Sequence, residues 1–210
     1  MSIETRLGRH FVAASVVAVT LAASTHASIA YWNCNMSIPA TTTGLYLNVQ
    51  TQATGSAGSG VLGWDLDVYT AVLSAPSLTM YGAIGTQFMR APGQFGYSVG
   101  NLNPEQPVGS AGPWNPPSEA YSAVFNTPTQ SGVGNWNYNS INYFGFKFVA
   151  DTGYTHYGYG RMDVGANANI RTLKFIAWDT TPATPLNVVP APGVLAVLGM
   201  AGIGRSRRRS

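Results

Sequence analysis

The 210 residues carry 11 Lys and Arg against 8 Asp and Glu, a formal charge of +3. Six of the arginines (Arg6, Arg9, Arg205, Arg207, Arg208 and Arg209) belong to the two ends, so the middle keeps five basic against seven acidic side chains, a balance of −2. That body has no basic stripe with which to bind nucleic acid, and a single cysteine, Cys34, excludes an intrachain disulfide.

Residues 1–30 read as a helical secretory signal. Arg6, Arg9 and His10 form a positive start, and 11–23 is an apolar run of 13 residues, too short for an ordinary spanning helix. Small residues then offer a cut after Ala27 or after Ala30. Cys34 follows, either as a small buried residue or as a free thiol that pairs between chains.

The body, 31–179, is rich in Gly, Asn, Thr, Ser and Tyr and shows no sustained helical period. Short alternating runs between turn residues predict an all-β fold, an antiparallel sandwich or jelly-roll-like body. Strands are expected near 44–50, 62–70, 77–81, 94–99, 121–125, 143–150, 154–164, 170–178 and 185–189. In the sixth of these, Phe144, Phe146 and Phe148 fall at every second position and so share one face, which should be core. In the next, Tyr157, Tyr159, Arg161 and Asp163 share a face. His156, Met162 and Val164 take the other, where Gly158 and Gly160 leave room for the phenylalanines. Simple alternation then places Thr172, Lys174, Ile176 and Trp178 on one face and Arg171, Leu173 and Phe175 on the other. These three strands predict an antiparallel meander at the edge of the sandwich. The segments 101–118, with five prolines, and 126–140 are expected to be long loops.

Residues 180–189 read as an extended linker. From 190 to 210 the chain runs through Pro190-Ala191-Pro192-Gly193, an apolar stretch, and Arg205, Arg207, Arg208 and Arg209. The arginines suit the cytoplasmic edge of a bilayer. The stretch 193–204 spans about 18 Å as a helix against a hydrocarbon core of about 30 Å. It therefore suits brief retention rather than permanent anchorage.

On these residues the tail resembles the PEP-CTERM sorting signal of Gram-negative bacteria, in the variant Val189-Pro190-Ala191-Pro192-Gly193. Such a tail has also been called an ice-binding protein C-terminal domain, a name that does not establish ice binding. The body is similar to the cargo that carries such tails in Gly63-Trp64-Asp65-Leu66-Asp67, in 143–148 and in 155–162. The resemblance implies recognition by an exosortase, with processing at Pro190, Ala191 and Pro192. Ala191 stands where the common motif has glutamate. It also implies a route through the inner membrane to the cell surface or extracellular matrix.

Chemistry is sparse. His156 is the only histidine beyond the signal, which rules out a metal site built on several histidines. It reads as a structural residue. Asp65 and Asp67 alternate on one strand face. They could bind Ca²⁺ or act as acid and base on a glycoside, or they could form an exposed polar face opposite Trp64, Leu66 and Val68. Trp114, Trp136, Tyr138 and Tyr143 lie in or beside the long loops. Their rings could stack on sugars, or pin the loops to the sheet. The expectation is a non-enzymatic exported protein with no catalytic residue, metal or cofactor. Its partners would be the secretion machinery, an exosortase and the membrane, met through a short C-terminal helix. A carbohydrate-binding module using Trp114, Trp136 and Tyr138 on extracellular polysaccharide is the alternative.

Overall fold

The computed structural model describes residues 28–71, 73, 76–90, 98–117, 119–125 and 136–189. The signal as far as Ala27, positions 94–97, most of the 126–140 loop and the tail from Pro190 lie outside them. Among the described residues no helix is long and apolar enough to cross a membrane.

The strands are β1 (Ile29–Trp32), β2 (Met36–Ser37), β3 (Leu45–Leu47), β4 (Thr54–Gly55), β5 (Leu66–Tyr69), β6 (Thr79–Gly82), β7 (Gln87–Phe88), β8 (Ser98–Val99), β9 (Pro107–Val108), β10 (Ala120–Ala123), β11 (Ser140–Val149), β12 (Thr155–Val164), β13 (Arg171–Asp179) and β14 (Leu186–Asn187). Twelve of them form two six-stranded sheets, and β14 with β9 forms a two-stranded one. One runs β1-β13-β12-β11-β7, with β2 also on β13; the other runs β4-β3-β5-β6-β10-β8. Every pair is antiparallel except β8 with β10. The sheets pack face to face over one core that joins Phe144, Phe146, Phe148, Met162, Ile176 and Trp178 to Leu47, Leu66, Val68, Met80 and Tyr121. The body is thus all-β, with a sandwich core.

The phenylalanine face is core, as its period requires. Phe144 lies opposite Gly160, Phe146 opposite Gly158 and Phe148 opposite His156. A methyl group on Gly158 would stand 2.5 Å from Phe146 Cζ, and one on Gly160 would meet the Phe144 ring. The glycines are holes into which the rings fit.

Three expectations are corrected. The meander is not an edge: β1 flanks it beyond β13, and β7 flanks it beyond β11. Both flanking strands are too short to show a period, and β1 overlaps the stretch read as signal. Next, β13 does not alternate simply. Arg161 pairs with Phe175 and Met162 with Leu173, so Lys174 is an extra, bulged residue. The bulge reverses the parity. Leu173, Ile176 and Trp178 all enter the main core, while Phe175 and Ala177 turn outward. Lastly, 180–189 is not only an extended linker: it holds β14, where a strand was expected near 185–189. Leu186 and Val188 are buried, and β14 pairs with β9 from the proline-rich segment. With Met89 and Leu102, these residues close a second core over Tyr143, Tyr157, Tyr159 and Phe175 on the outer face of the meander. The proline-rich segment gives only the two-residue β9 to a sheet, as a chain short of N–H donors must.

Arg171 is buried without a carboxylate partner. Its guanidinium donates to the carbonyls of Ser77 (2.6 Å), Pro39 (2.8 Å) and Ala168 (3.1 Å) and to Thr70 Oγ1 (2.9 Å). Burial lowers its pKa to about 10. One side chain thereby ties β13 to the connections around β3 and β5. Cys34 packs against the main core, and burial pushes its thiol up to about 12.

Candidate functional site

The loop aromatics do not share a surface. Trp136 is 0 % exposed, and its indole N–H donates to the Val99 carbonyl at 2.8 Å. Tyr138 stacks flat on Phe125, with centroids 4.5 Å apart. Trp114 lies on the other side of the meander, stacked on Tyr157 at 5.8 Å, with Lys147 Nζ 5.1 Å from its centroid. Its N–H donates to the Gly109 carbonyl at 3.1 Å. Tyr143 is buried in the second core. All four rings are engaged by the protein itself. His156 is likewise engaged, with Nδ1 2.8 Å from the Asp179 carbonyl and its ring stacked on Phe148. Of the two possible signal cuts, Ala27 lies outside the described residues and Ala30 lies within β1, opposite Trp178. Pro190, Ala191, Pro192, Gly193, Arg205, Arg207, Arg208 and Arg209 lie outside the described residues.

The aspartates make the more distinctive arrangement. Leu66 and Val68 of β5 point into the core, so Asp67, and Asp65 just before the strand, face outward. They are nevertheless buried, Asp65 to 6 % and Asp67 to 5 % exposure. The cover is aromatic. Asp67 lies opposite Tyr46 of β3 on one side and Tyr81 of β6 on the other, one row across three strands. Trp64, expected opposite the aspartates with Leu66 and Val68, instead joins their cover, because it precedes the regular pairing of β5: it meets Tyr46 edge-on at 5.0 Å and leans over Tyr81 at 5.8 Å. Burial pushes Asp67 up to about 6 against a hydrogen bond from Tyr46. Asp65 rises to about 7, chiefly by burial; its bond from the Val49 N–H opposes the shift, and the charge of Asp151 adds to it. Asp67 Oδ1 is sealed in without a partner.

Asp65 also lines an open cleft of about 390 Å³. Trp64 and Tyr81 form its aromatic wall, Val149 and the turn residue Asp151 come from the end of β11, and Ile84 stands at the rim. Val49 N–H occupies Asp65 Oδ2 at 2.7 Å. Among the described residues Oδ1 accepts from no donor, and it is not sealed from solvent as Asp67 Oδ1 is. The sequence marks Trp64 and Asp65 but not Tyr81, Val149 or Asp151, which only the fold brings to them. Among the described residues no three His, Cys, Asp or Glu gather as a metal site would require. No known family's sequence model matches the chain, and neither does any curated protein or any solved structure.

Proposed function

We propose that the chain is an exported, non-enzymatic surface or matrix protein. The secretion machinery reads its first 27 residues. The short apolar helix of a PEP-CTERM-like tail holds it in the inner membrane, and an exosortase processes it near Pro190, Ala191 and Pro192. The reading rests on how the body meets its ends. A cut after Ala27 leaves Ser28 first, and the Ser28 carbonyl accepts from both the N–H and the hydroxyl of Thr180 at 2.8 Å. That cut keeps β1 whole, whereas a cut after Ala30 removes half of it. At the far end Val188 is buried and its carbonyl accepts from the Glu105 N–H at 2.7 Å. A cut at 190–192 therefore spares the second core. The engagement of His156 by Asp179 and Phe148 supports a structural role for that residue.

Expression in a Gram-negative host tests the reading. The full chain should leave the cytoplasm, and a variant lacking residues 2–27 should stay there. Accumulation of the full chain in the cytosol would overturn the proposal.

A further inference from the structure

We infer that the cleft beside Trp64 and Asp65 binds an uncharged glycan. This goes beyond the export reading and does not depend on it. The site joins the two features that sugar recognition needs. Trp64 and Tyr81 present half-exposed rings on one wall, and a pyranose offers a ring face of C–H groups that packs on such a surface. Among the described residues, the Tyr81 hydroxyl has no hydrogen-bond partner in the protein, so it remains free to meet a sugar oxygen, while the Nε1 edge of Trp64 packs beside Gly58 and leaves the ring face for stacking. In the same lining, Asp65 Oδ1 and the exposed carboxylate of Asp151 accept from hydroxyls. Asp65 is held in place by the Val49 N–H, which spares the ligand the work of ordering it.

The charge of the cleft selects the class of sugar. Its lining holds two carboxyls and no basic side chain, so uronates and sulfated chains meet repulsion. Its size of about 390 Å³ lies within the ~300–1,000 Å³ common for small-molecule sites, and it is open to solvent. Ile84, 91 % exposed, adds an apolar rim. An apolar protein partner would suit that rim. It would leave Asp65 Oδ1 and the Asp151 carboxylate without donors, a cost that a polyhydroxylated ligand avoids.

Titration calorimetry of the full chain in detergent tests this, with cello-, manno-, xylo- and galacto-hexasaccharides and an alginate hexasaccharide as probes. At least one uncharged hexasaccharide should bind, and alginate should not. Trp64→Ala should weaken binding about tenfold or more, and Trp114→Ala should leave it unchanged. Trp64 also packs on Tyr46, so Asp151→Ala serves as the second variant. It removes an exposed carboxylate and should weaken binding without lowering the melting temperature. Three results would overturn the inference: no uncharged glycan binds, Asp151→Ala and Trp64→Ala both bind as the parent does, or the cleft variants abolish self-association of the chain and not sugar binding.

Discussion

Asp65 and Asp67 keep their protons to higher pH in the folded chain than in the unfolded one. Their folded pKa values stand at about 7 and about 6, against an ordinary 3.8. Between those limits the native state binds more protons than the unfolded state, so stability falls as pH rises. The penalty is complete above pH 7 and absent near pH 4. The full chain should therefore melt higher at pH 4.5 than at pH 8. In the double variant Asp65→Asn, Asp67→Asn that slope should flatten, with the pH 8 melting point raised. Thermal melts across this range check it. A parent that gains stability toward pH 8, or a double variant with the parent's slope, would contradict the placement of these carboxyls. The sequence showed the two aspartates sharing a face but not that the face is covered. The cover comes from Tyr46 and Tyr81, which are brought to Asp67 by cross-strand register, and one strand's alternation says nothing of register.

At the scale of the element, β11 and β12 were the most legible part of the chain. Three phenylalanines at period two met two glycines at period two, and a single register satisfies both. β13 misled for an equally local reason: one bulged lysine reverses every face assignment on one side of it. The short strands β1, β2, β4, β7 and β9 gave no signal, because two to four residues carry too little periodicity to separate strand from loop. The glycine–phenylalanine fit yields a direct test. Gly160→Ala forces a methyl group into the Phe144 ring and should cost about 1–3 kcal/mol. Gly60→Ala meets nothing within 4 Å and serves as the control. Denaturant unfolding of the two variants should separate them by that amount. Equal stability would mean that β12 does not face the phenylalanines in this register.

For the whole molecule, the meander is a central layer with two coats. The second sheet covers one face, and the proline-rich segment with β14 covers the other. This makes 180–189 part of the body although its composition resembles a spacer; Leu186 and Val188 are apolar residues at alternate positions among prolines. Composition gives the ends a more specific expectation than the middle, because an apolar run beside arginines has a distinct physical use and a Gly-, Asn- and Thr-rich body does not. Among the described residues, Ile29 pairs with Asp179 and Val188 is buried in the second core, so both belong to the folded body. Intact-mass analysis of the native polypeptide tests this most directly. The account expects a product that starts at Ser28 and ends near 190–193. A native protein found at the full 22.2 kDa, with both ends retained, would contradict it.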